Sequence, residues 1–259
     1  MKKIVSMPAT LDEFFLEVAD VTRFTVRFFK NVYKPRYELA EVLRQSFLIG
    51  YKSLGLVTVT GFIMGLVLTI QSRPTLARFG AESWLPGMVA VSIIREIGPV
   101  ITALIYAGKV GSGIGADLAS MKVTEQIDAM EVSGTNPFKY IVVTRIVAAT
   151  LMIPVLVIFA DAIGLFGSYI GVNIMDQVSL RLYFSNAIKM LDFKDVLPAL
   201  VKTFFFGFAI GVISCYKGFT SNKGTEGVGI AANSSVVVGS LCIFVIDMIA
   251  VQLTDFLLK

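Results

Sequence analysis

Ile93-Ile94-Arg95-Glu96-Ile97-Gly98-Pro99-Val100 lies inside a run from Ser83 to Gly108 that carries no other charged residue. At about 1.5 Å of rise per residue, a helix over that run is long enough to cross the hydrocarbon core of a bilayer. Arg95 and Glu96 stand at its midpoint, where even lenient insertion scales charge roughly 2.5–3.5 kcal/mol for an arginine. Residues kept at that cost face a bundle interior or a wet cavity, so the pair is the first candidate for a transport or binding site. Sequence neighbours on a helix point about 100° apart and do not pair with each other. Each needs its own partner, from Asp161, Lys202, Asp247, Gln71 or a twin chain. The competing reading is an ion network that only fixes helix register. Gly98-Pro99 should bend the helix.

Composition agrees with a membrane class. The 259 residues are 55% hydrophobic and 16% charged, against about 25% charged in soluble domains. The chain has no histidine, which excludes His-based triads, HExxH zinc sites and His-ligated haem. Cys215 and Cys242 sit in apolar runs without CxxC spacing and read as small buried hydrophobes. Met1-Lys2-Lys3 is not followed by an apolar h-region, because Asp12, Glu13 and Glu17 intervene, so no cleaved signal is expected. The net charge of +4 is modest, and no basic stripe interleaved with aromatics points to nucleic acid.

Five spans are predicted: Ser53–Gln71, closed by Arg73-Pro74; Gly87–Gly108; Arg145–Gly171, with Asp161 inside and a kink at Pro154; Val196–Tyr216, with Lys202 near one end; and Val228–Leu253, with Asp247 inside. Two amphipathic helices precede them. Over residues 11–34, Phe14, Phe15, Phe28 and Phe29 fall on one face and the charges on the other, as in a helix lying in the membrane interface; Pro35 ends it. A shorter piece runs from Tyr37 to Phe47. The division is thus 1–52, interfacial helices, and 53–259, membrane domain. With the N-terminus inside, the cytoplasmic segments hold nine, four and two Lys/Arg residues and the external ones six, so the count favours a cytoplasmic N-terminus and an external C-terminus.

Four GxxxG pairs, Gly61/Gly65, Gly111/Gly115, Gly167/Gly171 and Gly207/Gly211, suggest a tightly packed bundle and leave room for a homodimer. Ser112–Thr144 is predicted as the longest cytoplasmic loop. Within it, Thr124–Val132 reads as a short helix with Val123, Ile127 and Met130 on an apolar stripe and Glu125, Asp128 and Glu131 on an acidic one, stopped by Gly134 and Asn136-Pro137. An acidic face suits a partner's groove better than an anionic leaflet. Gly111-Ser112-Gly113-Ile114-Gly115 lacks the frame of a phosphate loop. No nucleotide site is visible, and ATP-driven work would need another subunit.

Arg95-Glu96-Ile97-Gly98-Pro99-Val100, Ala107-Gly108-Lys109-Val110-Gly111-Ser112-Gly113, Thr124-Glu125-Gln126-Ile127-Asp128-Ala129-Met130, Asn136-Pro137, Ile153-Pro154 and Gly224-Thr225-Glu226-Gly227-Val228-Gly229 together resemble the signature of the MlaE/YrbE permeases. These are membrane subunits of ABC transporters that work with MCE proteins. The resemblance covers about Tyr37–Leu258. It implies an all-α integral membrane fold of five transmembrane helices after interfacial helices, with a coupling helix between spans two and three. It implies a second copy of the chain, a cytoplasmic ABC ATPase that binds the ATP and magnesium, a periplasmic MCE hexamer, and room for a small cytoplasmic STAS-type subunit. The implied location is the bacterial inner membrane and the implied cargo phospholipid or another hydrophobic molecule, moved between that membrane and the periplasm. By position, Gln71, Leu76, Phe79, Arg95 and Glu96 correspond to the lipid cavity, and Glu125, Asp128, Met130 and Glu131 to the coupling helix. Two other classes compete: an ion-coupled secondary transporter using Arg95, Glu96, Asp161 and Asp247, and an intramembrane enzyme, which the lack of histidine and of a nucleophile motif disfavours.

Overall fold

A computed structural model of the chain describes residues 9–33, 38–174, 177–221 and 224–257, with side chains from Phe15 onward. All of the regular structure among these residues is helical. Five helical segments are long and apolar enough to span a membrane: Leu39–Arg78, Glu82–Val123, Phe138–Asn173, Phe193–Phe219 and Thr225–Leu257.

The third span is the hub. Its main helix, α7 (Thr144–Asn173), buries Ile146, Ala149, Ile153, Leu156 and Ala160. It packs against α2 (Leu39–Arg78) on one side and α9 (Phe193–Phe219) on the other. α10 (Thr225–Leu257) lies outside α9 and turns Val237, Leu241, Phe244 and Met248 outward. All four GxxxG pairs are used inside the chain. A Cβ at Gly65 would overlap the Gly164 carbonyl oxygen, one at Gly61 would lie 2.9 Å from the Ala160 oxygen, and one at Gly167 would overlap Phe62. Gly171 faces Thr69; Gly207 and Gly211 face α7, Gly111 faces Ser214 of α9, and Gly115 faces Ser235 of α10. These small residues bring backbones together within one bundle and carry no argument for a dimer.

Each span outruns its apolar core. α2 continues through Pro74 to Arg78 and begins at Leu39, so the short amphipathic piece and the first span are one helix; Tyr37, where that piece was expected to begin, lies outside the described residues. Hydropathy registers only the lipid-facing middle of such a rod. Span two extends past Gly108. It consists of α3 (Leu85–Ser92), a π-helical turn Ile93–Ile97, α4 (Gly98–Tyr106), a second wide turn Ala107–Gly111, and α5 (Ser112–Val123). Much of the expected cytoplasmic loop is therefore helix. Its small residues pack against α9 and α10, and that burial overrides its mixed polarity. The first wide turn has a local cause. Pro99 has no N–H, and Gly98 N–H donates instead to Ile93 O, five residues back. Pro154 does not interrupt α7.

Between spans two and three, α6 (Gln126–Val132) is seated by Ile127, which is buried, and Met130; Glu125, Asp128 and Glu131 face out. It ends as expected: Gly134 takes φ 79°, its N–H donates to Glu131 O, and Thr135 N–H donates to Met130 O.

The first helix, α1 (Ala9–Val32), lays one side on the bundle among its described side chains. Phe24 and Phe28 are buried in the protein's own core, where Phe24 meets the rings of Phe138 and Tyr216 at 5.1 and 5.6 Å. The Arg27 guanidinium lies 4.2 Å from the centre of the Phe138 ring, and Lys217 pairs with Glu17. A second apolar face, with Phe15, Val18, Val26 and Phe29, stays exposed. Phe14, Lys34 and Pro35 lie outside the described side chains.

An unforeseen helix, α8 (Leu180–Met190), joins spans three and four. The Ser179 hydroxyl accepts from Leu182 N–H at its start, and Tyr183 and Ala187 bury against Leu85, Val89 and Ile93. Tyr183 Oη donates to Ser168 Oγ at 2.6 Å, and Ser168 Oγ lies 2.5 Å from Thr69 Oγ1. This hydroxyl chain ties α8 to α7 and α2. Burial pushes the Tyr183 phenol above its ordinary value, opposed by the Ser168 bond.

Candidate functional site

Because span two runs from Glu82 to Val123, Arg95 and Glu96 stand about a third of the way along it, not at its middle. The wide turn Ile93–Ile97 presents them to the beginning of α9 and the end of α10. Glu96 Oε2 accepts from Lys202 Nζ at 2.7 Å, and the same ammonium donates to Asp247 Oδ1 at 2.9 Å. Lys202 is 5% exposed. Arg95 reaches the other way, with Nη2 3.0 Å from Asp255 and Nη1 3.9 Å from Asp195. Asp195 also caps α9, accepting from the Asp192 N–H at 3.1 Å, so the cap fixes one of Arg95's partners.

The two halves differ in strength. The Lys202 ammonium is buried while Glu96 and Asp247 keep part of their surface exposed, and removing that ammonium leaves two carboxylates uncompensated. The Arg95 pairs are open, with 41% of the Arg95 side chain and 56% of that of Asp255 exposed, and such pairs hold weakly and exchange readily. Between them runs a narrow cleft walled by Pro198, Ala199, Ala250 and Val251, with room for about one water.

Of the partners expected for the pair, Lys202 meets Glu96 directly, and Asp247 touches neither residue but shares the Lys202 ammonium. Asp161 pairs with neither: its Oδ1 is buried over Gly98 with no hydrogen bond among the described residues, filling the space a Cβ at Gly98 would need. Asp195 and Asp255 were not anticipated. Asp195 could have been found as the third residue after the capping Asp192; Asp255 carries no local signal.

Leu76 lies apart from the charges, in an open and mostly apolar groove of about 330 Å³ with Trp84, Met88, Val91, Ser92 and Met190. Ser92 brings that groove to within one turn of Arg95. Gln71 is exposed on α2, and Phe79, just past its end, is 80% exposed. Neither lines the groove or the charged cleft. Among the described residues no cluster of Cys, Asp and Glu could hold a metal ion.

Five apolar helices, three of which enclose a charged crevice, with a small helix turned outward at the other end of the bundle, define a multi-pass membrane protein. The chain belongs to the MlaE permease family, whose model, described as "Permease MlaE", matches residues 42–253. A probable ABC transporter permease protein of Rickettsia typhi is 41% identical over 224 residues, covering 86% of each chain. One from Synechocystis is 31% identical over 221 residues, covering 85% of this chain and 84% of its own. The Arabidopsis thaliana chloroplast protein TRIGALACTOSYLDIACYLGLYCEROL 1 is 32% identical over 219 residues, covering 85% of this chain and 63% of its own. The chain is accordingly an ABC transporter permease subunit rather than an enzyme.

Proposed function

We propose that the chain is the membrane-spanning subunit of an ATP-driven transporter that moves phospholipids or similar hydrophobic molecules between the inner membrane and the periplasm and so maintains outer-membrane lipid asymmetry. Two copies form the core, with N-termini in the cytoplasm and C-termini in the periplasm. A cytoplasmic ATPase binds ATP and magnesium, an MCE hexamer caps the outer side, and a STAS-type subunit has room beside the ATPase. The observation that carries the cargo assignment is the placement of the Leu76 groove within one turn of Arg95. Acyl chains occupy the groove, where Leu76, Trp84 and Met88 exclude water. Arg95, whose exposed pair with Asp255 can be exchanged, takes the phosphate on its planar fork of donors. Glu96 holds Lys202 and so fixes the turn from which Arg95 projects. Gln71 and Phe79 extend the wall toward the second copy. The lipid name carried by the Arabidopsis relative supports this choice of cargo.

α6 is the coupling helix in this reading. Ile127 and Met130 seat it on the bundle, while Asp128 and Glu131, with Glu125 just before the helix, face outward for the ATPase. Photo-crosslinking from positions 76, 79 and 96 in the intact complex tests the cavity. Crosslinks to lipid from all three are expected; crosslinks only to neighbouring helices overturn the assignment.

A further inference from the structure

A second cleft, of about 170 Å³, opens at the other half of the bundle, on the side of α1 and α6, between α2, the turn leading into α5, and the start of α7. It shares no residue with the Arg95 cleft. Lys52, Lys109 and Arg145 line it against a single acid, Asp117. Lys109 Nζ donates to the Lys52 carbonyl oxygen and Arg145 Nη1 to the Ile141 oxygen, which fixes both groups and leaves further N–H donors on each. Among the described residues none of the three cations has a carboxylate within ion-pair distance, whereas Arg95, Lys202 and Lys217 all do. Cations inside a span face the bundle interior or a wet cavity and mark substrate or ion pathways.

Two further observations point to a ligand. Ser53 lines the same cleft and is 2% exposed, yet its hydroxyl has no hydrogen-bond partner among the described residues. Thr58, Thr60, Thr69 and Ser92, also in helices, return theirs to the carbonyl four residues back. Gly113, also in the lining, would meet nothing with a Cβ, unlike the glycines that bring helices together. Its small size is not used for packing; it keeps the cleft open.

We propose that this cleft binds the phosphate of an anionic phospholipid headgroup from the leaflet on the α1 and α6 side. Lys52, Lys109 and Arg145 surround the phosphate, the Ser53 hydroxyl donates to it, and Ile49, Val110 and Ile114 flank the glycerol and upper acyl chain. Basic pockets between spans recognise acidic headgroups in this way, and the arginine fork matches a phosphate's oxygens. This site is independent of the transport cavity.

The test is native mass spectrometry of the full-length purified chain titrated with phosphatidylglycerol or phosphatidylcholine. Lys52→Gln with Arg145→Gln, which removes two charged donors, and separately Gly113→Leu, which fills the cleft, should each weaken the tightest phosphatidylglycerol binding by at least about tenfold, the scale of a single lost charge-assisted hydrogen bond. Gly113→Ala and phosphatidylcholine binding should be unchanged. Unaltered phosphatidylglycerol binding in the Gly113→Leu protein, which retains every cation, overturns the proposal, as does equal loss of both lipids. Displacement of phosphatidylglycerol by inorganic phosphate would show that the cleft takes the free ion and would overturn the lipid assignment.

Discussion

Replacing Lys202 with methionine leaves Glu96 and Asp247, which share its ammonium, side by side without a cation. Lys202 is 5% exposed and donates at 2.7 and 2.9 Å. Removing one partner of a buried ion pair costs about 3–5 kcal/mol, mostly from the charge left uncompensated. Glu96 keeps 37% of its side-chain surface exposed, which moves the expectation to the lower end, about 3 kcal/mol. Unfolding of the detergent-purified chain by sodium dodecyl sulfate titration reads that difference directly. A Glu96→Gln, Lys202→Met, Asp247→Asn triple variant should recover most of the loss, because neutral groups of similar shape replace buried ion pairs at little or no cost. A single variant within about 0.5 kcal/mol of the parent, the range of an ordinary surface substitution, would refute the view that this triad holds spans two, four and five together. A triple variant as unstable as the single would show that shape rather than charge is at work.

Other outcomes follow from the same geometry. Gly65→Ala should cost at least about 1–3 kcal/mol by the same titration, since the added carbon has backbone rather than a movable side chain in its way. Phe24→Ala should cost about 3 kcal/mol and release α1, seen as faster proteolysis within residues 15–32. Glu125→Lys with Asp128→Lys should abolish recovery of the ATPase in pull-downs while leaving the chain inserted; recovery at the parental level would remove α6 from the interface. The folded-state pKa of Tyr183 is raised, so its contribution to stability is complete below the ordinary value near pH 10 and is lost as pH rises through the raised value. Tyr183→Phe should be less stable at neutral pH, by about 1 kcal/mol, and should lose less on going above pH 10.

The five spans and α6 were legible because their signals are local: a long apolar run, an apolar stripe at helical spacing, a glycine followed by Asn-Pro. Helix ends were less so. α5 is held by packing against α9 and α10, and α2 runs on at both ends beyond its packed stretch Ile49–Thr69; average hydropathy registers neither. α8 was hidden between two obvious spans, although Tyr183, Phe184, Ala187 and Ile188 have helical spacing and Ser179 is a fitting cap. The charged pair was recognised, but Arg95's hydrogen-bonded partner lies 160 residues away, and only the tertiary fold brings them together. For α1, Phe28 was placed on the apolar face and Phe24 was not, although both are buried. What the helix would touch depended on Phe138, Tyr216 and Phe219, which are distant in sequence.

The 40 residues of α2 make one uninterrupted rod about 60 Å long, roughly twice the hydrocarbon thickness of a bilayer. It is held against α7 from Ile49 to Thr69, about 30 Å of its length, a seam as long as the hydrocarbon core of a bilayer is thick. A push delivered at the α1 and α6 end would therefore carry α2 and α7 together as one body to the far side of the membrane, rather than slide one helix past the other.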